Sequence, residues 1–129
     1  MIIIIVFLSY KWDDKKYADG LRGYLKNPNN KYRHIPISER NDYRNKGEVA
    51  VRTYLKGIIG ECDALICLIG QNTHSSQWVA YELDVANSQG KKIIPLRIRK
   101  TSGGPPKLIK ERDLKIVKWS SEEINDALS

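Results

Sequence analysis

The sequence predicts an α/β domain with a five-stranded parallel sheet, strand order 2-1-3-4-5, and helices on both faces. Three observations predict this fold. Apolar runs of strand length alternate with segments of helical periodicity, as in sheets built from strand–helix units. The runs IIIIVFL and ALICLI lack polar alternation, which indicates strands that are covered on both faces. The length of 129 residues suits one domain, so we expect residues 1–129 to fold together.

The predicted elements follow one another along the chain. We expect strands over residues 2–8, 32–37, 64–69, 92–99 and 114–119, and helices over residues 15–25, 47–60, 72–86 and 120–128. Residues 38–46 are expected to form a polar loop, and residues 107–113 a loop or a single helical turn. Pro36 restricts the second strand to an edge or a strand end, because proline cannot donate to a sheet.

Helix boundaries are marked by capping residues. Thr73, Ser75 and Ser76 are candidate caps for the third helix, since each hydroxyl can accept from a free N–H of the first turn. Gly90 is expected to end that helix. Ser120 and Glu123 have the spacing of a capping box, which predicts the start of the last helix.

Composition narrows the possible partners and location. The net charge is +7, and residues 1–60 carry most of it, with 12 Lys and Arg against 6 Asp and Glu. These cations are scattered rather than clustered, so a solvated basic surface is favoured over a nucleic-acid surface. The two cysteines fit a reducing environment. MIIIIVFL is too short to span a bilayer, and no other segment is long and apolar enough. We therefore expect a cytoplasmic protein without a membrane partner.

Glu82 occupies an unusual position on the third predicted helix. At about 100° per residue, Val79, Leu83 and Ala86 form one apolar stripe. Glu82 falls inside the apolar arc, four residues after Trp78. A carboxylate there must reach water, find donors or line a cleft. Two interpretations stay open: a rim glutamate that extends to solvent or pairs with a lysine, and a functional acid at the mouth of a pocket.

Several chemistries lack their motifs. No GxGxxG follows the first strand, and GxxxxGK[ST] is absent as well. A phospho-receiver needs an aspartate after the third strand, where Gly70 and Gln71 stand instead. His34 and His74 lack the spacing of metal ligands, so no metal site is expected. His74 can contact a ligand, although a solvated loop histidine is the more common case.

The predicted strand order places a crevice between the ends of the first and third strands. The loops 9–14 and 70–76 both leave the sheet there, and Trp78 and Glu82 follow the second loop. A carboxylate beside an indole suits cleavage of an N-glycosidic bond, because it stabilises an oxocarbenium-like sugar while the indole stacks on a base. Nicotinamide would leave such a sugar as a neutral molecule, so no general acid is required.

Five motifs carry a family resemblance. VFLSYKWDD and SSQWVAYEL resemble two conserved boxes of Toll/interleukin-1 receptor (TIR) domains. LIGQNT, WVAYE and GKKII are similar to the TIR-like proteins of Thoeris antiphage defence. The similarity spans residues 4–100 and extends loosely over residues 114–128. The second box of many TIR domains is not recognisable in residues 38–46, so no substrate contact is assigned to that loop, and solvated charge is favoured for Arg40 and Arg44.

The resemblance implies a flavodoxin-like fold and an activity of the NAD glycohydrolase or ADP-ribosyl cyclase type. NAD would be a substrate, with no permanently bound cofactor. The product would be a cyclic ADP-ribose-type signal that activates a separate effector, and self-association is expected to support turnover. Glu82 would be catalytic and Trp78 would shape the nicotinamide side. The other residues implied to line the pocket are Phe7, Ser9, Tyr10 and His74.

Two further functions remain open. The first is a non-catalytic TIR scaffold that works by self-association or by recruiting a partner. The second is an enzyme resembling nucleoside deoxyribosyltransferases, which share the fold type and a glutamate on a helix. Transfer between free nucleosides without NAD cleavage would distinguish the second.

Overall fold

The computed structural model describes residues 3–30, 33–37 and 47–129. Its elements are β1 (Ile3–Ser9), α1 (Lys15–Leu25), β2 (Arg33–Ile37), α2 (Glu48–Gly60), β3 (Ala64–Ile69), α3 (Gln77–Ser88), β4 (Lys92–Arg97), α4 (Lys107–Glu111) and α5 (Ser121–Leu128). Two 3-10 turns, Trp12–Asp14 and Thr73–Ser75, precede α1 and α3. The predicted loop at 38–46 lies outside the described residues.

The strands form a parallel sheet in the order β2-β1-β3-β4, as the apolar runs predict. The expected fifth strand at 114–119 is wrong: in this region the structure has only a single bridge, between Val117 and Leu96. The Val117 N–H donates to the Pro95 carbonyl at 2.8 Å, and the Arg97 N–H donates to the Val117 carbonyl at 3.0 Å. The next donor on this edge would be the N–H of residue 95. Proline has none, so the pairing cannot extend toward Lys115.

Side chains on the two faces of the sheet form two hydrophobic clusters. We call them the α1-side core, which includes residues of α1 and α5, and the α3-side core, which includes residues of α2, α3 and α4. Successive strand residues alternate between them: Leu8 lies in the α1-side core and Phe7 in the α3-side core. The strands are therefore covered on both faces, as their continuous apolar sequences predict.

The boundaries of the helices follow the capping signals. Ser76 is the cap of α3, because its hydroxyl accepts from the Val79 N–H at 3.2 Å. Ser120 caps α5 in the same way, accepting from the Glu123 N–H at 3.2 Å. Gly90 follows α3 with a φ of 69°, a conformation that favours glycine. The third helix therefore begins at Gln77, five residues after the predicted start at 72, and ends at Ser88, two residues after the predicted end at 86. Of the three candidate caps, Ser76 is confirmed.

Candidate active site at the ends of β1 and β3

Glu82 is buried where α3 crosses the end of β1. Glu82 is 5% exposed, and its Oε1 accepts a hydrogen bond of 2.7 Å from the Ser9 hydroxyl. Among the described residues it forms no ion pair with a lysine. The structure therefore does not support the interpretation of Glu82 as a rim glutamate that extends to solvent or pairs with a lysine. Glu82 is an acid held inside the protein by a neutral donor.

The surroundings of Glu82 favour its neutral form. Burial raises the pKa of Glu82 to about 8, although the hydrogen bond from Ser9 lowers it. At pH 7 only about a tenth of such a group is ionised. Cys67 lies near the same carboxyl, and its thiol pKa is raised by burial and by the charge of Glu82. Cys67 is therefore an unreactive thiol, as its place in an apolar strand predicts.

The register of the sheet explains which predicted site residues meet. Ser9 is the last residue of β1 and pairs with Cys67 in β3. Alternation along β1 directs Phe7 and Ser9 to the same face, toward α3. Ser9 reaches Glu82, whereas Phe7 is fully buried in the α3-side core below it. In this conformation Phe7 supports the site from within the core and presents no surface.

Tyr10 lies on the other side of the sheet from Glu82. It packs against the α1-side core, stacks on Trp12 with ring centroids 6.5 Å apart, and accepts a 3.4 Å hydrogen bond from Arg22. One step along an extended chain reverses the side-chain direction, so Ser9 and Tyr10 diverge. The structure does not bring Tyr10 to the carboxyl of Glu82.

Trp78 and His74 flank the start of α3. Trp78 is half-buried against the α3-side core and meets Tyr81 edge to face, with centroids 6.2 Å apart and an interplanar angle of 89°. Tyr81 donates to the Arg52 carbonyl at 3.1 Å, which links this aromatic pair to α2. His74 is exposed on the turn Thr73–Ser75. Contacts of both residues with a substrate stay predictions.

Thr73 is a buried residue whose role the sequence analysis missed. Its hydroxyl accepts from the Gly70 N–H at 2.8 Å and donates to the Leu68 carbonyl at 3.2 Å. It therefore fixes the path of the chain between β3 and α3. A hydroxyl residue three positions after a glycine that ends a buried strand is the signal that could have indicated this role.

Asp14 connects the two loops at this edge of the sheet. A Cβ built on Gly70 would overlap the carboxylate of Asp14, so a side chain at residue 70 would have to displace the Asp14 carboxylate. Burial and the neighbouring Asp13 raise the pKa of Asp14, while Lys11 lowers it. The loop after β1 and the loop after β3 thus lie in direct contact at this edge, and the crevice expected between them stays a prediction.

A third loop, after β4, packs against the loop after β3. Arg97 donates to the Gly103 carbonyl at 2.6 Å. The Ser102 N–H donates to the side-chain carbonyl of Gln71 at 3.1 Å. A Cβ on Gly103 would overlap the backbone of Gly70 and Gln71. The start of the segment 101–106 is therefore held by specific contacts.

Two further properties concern the described residues only. Within residues 3–30, 33–37 and 47–129, no three His, Cys, Asp or Glu side chains are grouped so that they could hold a metal ion. None of the helices in that part of the chain has the length and apolarity needed to cross a membrane.

Solved structures share this fold. The TIR domain of the Toll-related receptor TRR-2 from Hydra magnipapillata is 12% identical, with a TM-score of 0.61 over 95% of this chain and 90% of that chain. A prokaryotic SEFIR domain is 18% identical, with a TM-score of 0.62 over 96% and 86%. The CMP N-glycosidase BcmB from Clostridium botulinum is 21% identical, with a TM-score of 0.61 over 96% and 97%. At these identities the likeness establishes the fold.

Sequence comparison assigns the family. No curated protein matches the chain. The family model described as the TIR-like domain of the Thoeris protein ThsB matches residues 7–102, which is more than half of the chain. This range includes Ser9, Thr73 and Glu82. The fold and the matched range agree, and the chain belongs to the family of ThsB TIR-like domains.

Proposed function

We propose that this protein is an NAD-cleaving enzyme of antiphage defence. It would release nicotinamide and form a cyclic ADP-ribose-type signal that activates a separate effector. The observation that carries the proposal is the buried carboxyl of Glu82, which accepts a 2.7 Å hydrogen bond from the Ser9 hydroxyl at the end of β1. Membership of the ThsB family supports a role in defence. The fold is also shared by a protein described as a CMP N-glycosidase. An N-glycosidic bond is also the bond that the proposed reaction would break in NAD.

The proposed reaction breaks the bond between C1′ of the ribose and the pyridinium nitrogen. The electron pair of that bond goes to the nitrogen, so nicotinamide leaves as a neutral molecule. The oxocarbenium-like sugar is stabilised by the negative charge of Glu82. Water or a nucleophile of the same ADP-ribose then attacks C1′ and loses a proton. Attack by water gives ADP-ribose, and internal attack gives the cyclic product.

The substrate itself would ionise the acid. In the free protein Glu82 has a pKa of about 8 because it is buried. A pyridinium cation close to the carboxyl favours the charged form and lowers that pKa. Glu82 would thus be neutral at rest and negatively charged when NAD is bound, as a transition state with a cationic sugar requires.

Access to Glu82 requires the surrounding loops to move, because only 5% of the residue is exposed. The loops after β1 and β3 touch through Asp14 and Gly70 and lie over this end of the sheet. Self-association that separates these loops would open the crevice. We therefore expect activity to depend on protein concentration and to rise under crowding.

The test is mass-spectrometric detection of products after concentrated protein is incubated with NAD. Wild type is compared with Glu82→Gln and with Asp84→Asn, a matched change at an exposed position on the same helix. We expect nicotinamide release by wild type and Asp84→Asn and its loss in Glu82→Gln. Equal release by Glu82→Gln would contradict the proposal. The mass and retention of the second product distinguish ADP-ribose from a cyclic form.

The same samples separate the alternative functions. The low exposure of Glu82 is also compatible with a purely structural role. Such a role would be expected if the protein is a scaffold that works by self-association. Assembly without nicotinamide release under crowded conditions would favour that function. Base exchange between free nucleosides without NAD cleavage would favour an enzyme resembling nucleoside deoxyribosyltransferases.

A further inference from the structure

A pocket of about 700 Å³ lies at the β2 edge of the sheet, beside the C-terminal end of α1. Its lining consists of Leu25, Lys26, Asn27, Pro28, Asn30, Arg33, His34, Ile35 and Pro36. In the register of the sheet His34 pairs with Ile4, whose side chain packs against the α1-side core. The pocket is therefore on the face opposite Glu82, and it is independent of the proposed active site.

His34 is a buried polar side chain without partners. It is 3% exposed, and neither ring nitrogen forms a hydrogen bond with the residues that the structure describes. Burial lowers the pKa of His34, so the ring is neutral at pH 7 and has one donor and one acceptor. A buried donor or acceptor without a partner loses its bonds to water and gains none in return, so both ring nitrogens destabilise the pocket. A ligand that supplies an acceptor and a donor would remove this cost.

The charged groups of the pocket have one sign. Among the lining residues that the structure describes, Lys26 and Arg33 are the only ionisable groups apart from His34, and none of these residues is a carboxylate. Neither cation forms a hydrogen bond or an ion pair with other described residues. The asparagines are partly engaged in the turn after α1: the Asn30 amide donates to the Tyr24 carbonyl at 3.0 Å. The free cations therefore favour an anionic ligand.

The remaining lining is apolar and suits a flat ring. Leu25, Pro28, Ile35 and Pro36 supply hydrophobic surface. The volume is within the range of small-molecule sites, which combine apolar walls with a few polar groups. We propose that this pocket binds a small organic phosphate with a planar heterocycle, of the size of a mononucleotide. The phosphate would contact Lys26 and Arg33, and the edge of the heterocycle would pair with the imidazole of His34.

In this arrangement the imidazole turns about its Cβ–Cγ bond, a torsion with broad energy wells, to present a nitrogen to the ligand. The apolar side chains cover the faces of the heterocycle. Specificity for the base then arises from the single donor and single acceptor of His34, and most of the affinity for the anion from the two cations.

Nuclear magnetic resonance of the imidazoles gives a direct test, because the chain has only two histidines. His34 lines the pocket, whereas His74 is exposed on the turn before α3. Histidine-labelled protein is titrated with the 5′-monophosphates of adenosine, guanosine, cytidine and uridine, and with inorganic phosphate. We expect at least one nucleotide to shift the His34 signal saturably while the His74 signal stays in place.

Variants identify the residues that bind the phosphate. Lys26→Gln with Arg33→Gln should weaken binding about tenfold or more, because two charged donors are lost. Lys107→Gln with Lys110→Gln removes two exposed cations from α4 and should leave binding unchanged. His34→Phe keeps the ring volume and should abolish discrimination among the bases.

Four outcomes would overturn the assignment. The first is no His34 shift with any nucleotide up to about 5 mM, a concentration that reveals even weak complexes. The second is equal weakening in both double variants, and the third is a shift confined to His74. The fourth is an identical response to inorganic phosphate, which would exclude an organic ligand. None depends on NAD cleavage, so this proposal and the proposed function can fail separately.

Discussion

The hydroxyl of Ser9 and the carboxyl of Glu82 form a 2.7 Å hydrogen bond between residues that are 73 positions apart in the chain. It joins the last residue of β1 to the second turn of α3. The bond favours the ionised form of Glu82 while burial opposes it. Ser9 is thus placed to control how easily the acid becomes charged, and it acts through Glu82 as a positioning residue.

Replacement of Ser9 by alanine should shift the pH dependence of NAD cleavage. A hydrogen bond to a charged group contributes about 1.5–3 kcal/mol, so its loss should raise the pKa of Glu82 by about one unit or more. We expect the rate at pH 7 to fall about tenfold and to recover toward pH 9. The measurement is nicotinamide release as a function of pH.

Ser88→Ala is the matched control for this change. Ser88 lies on the same helix, is exposed, and donates to the Val85 carbonyl at 2.9 Å away from the site. Its variant should reproduce the wild-type pH profile. A Ser9→Ala enzyme with a reduced rate but an unshifted profile would show that the hydroxyl does not act on the ionisation of Glu82.

The raised pKa of Glu82 also predicts how stability changes with pH. The folded-state pKa of about 8 exceeds the ordinary value of 4.5, so the folded protein binds more protons than the unfolded chain between these values. The contribution of Glu82 to stability is therefore complete below pH 4.5 and is lost as the pH rises toward 8. Glu82→Gln, which stays neutral, should avoid this loss.

Urea unfolding of wild type and Glu82→Gln at pH 5, 6.5 and 8 measures the effect. The advantage of the glutamine variant should grow with pH and reach on the order of 2–4 kcal/mol at pH 8. Asp84→Asn, at an exposed position two residues away, is the control for removal of one carboxylate from the same helix. A difference between wild type and Glu82→Gln that does not change with pH would contradict the prediction.

Local patterns predicted the elements that depend on local physics. The apolar run at 64–69 is a strand because β3 is covered on both faces, and the helical wheel placed Glu82 among buried residues because α3 has one apolar face. The fifth strand does not form because Pro95 cannot donate the next hydrogen bond on this edge of β4. Which edge of β4 faces residues 114–119 is a property of the tertiary structure.

For the candidate site, too, local patterns predicted some features and the tertiary structure determined the others. The sequence indicated that Glu82 needs a partner, and it named Ser9 as a site residue without showing the bond between them. The opposite directions of Ser9 and Tyr10 follow from strand alternation, which the resemblance to a family does not take into account. The role of Thr73 depends on a backbone path after β3 that no periodicity records.

Thr73→Val should destabilise the loop after β3. Valine keeps the shape of threonine but leaves the buried N–H of Gly70 without its 2.8 Å acceptor. We expect a loss of about 2 kcal/mol in the free energy of unfolding, measured by urea titration. Thr73→Ser should recover most of it, since the hydroxyl is retained. Ser75→Ala, on the exposed side of the same turn, should cost less than about 0.5 kcal/mol, and an equal loss there would contradict the assignment.

Gly103 should tolerate no side chain, because the loop after β4 packs directly on the backbone after β3. A methyl group at residue 103 would overlap the carbonyl oxygens of Gly70 and Gln71, and backbone atoms cannot rotate away as a flexible side chain can. Gly103→Ala should therefore cost about 2–3 kcal/mol in the free energy of unfolding. It should also weaken the bond that Arg97 donates to the Gly103 carbonyl.

Gly104 provides the matched comparison for this prediction. A Cβ at residue 104 meets no atom within 4 Å, so Gly104→Ala should change stability by less than about 0.5 kcal/mol. Urea unfolding of the two variants separates a packing effect from a general need for glycine in this turn, because both changes reduce the freedom of the unfolded chain equally. Equal destabilisation by both variants would mean that the contact with Gly70 and Gln71 does not determine the residue at position 103.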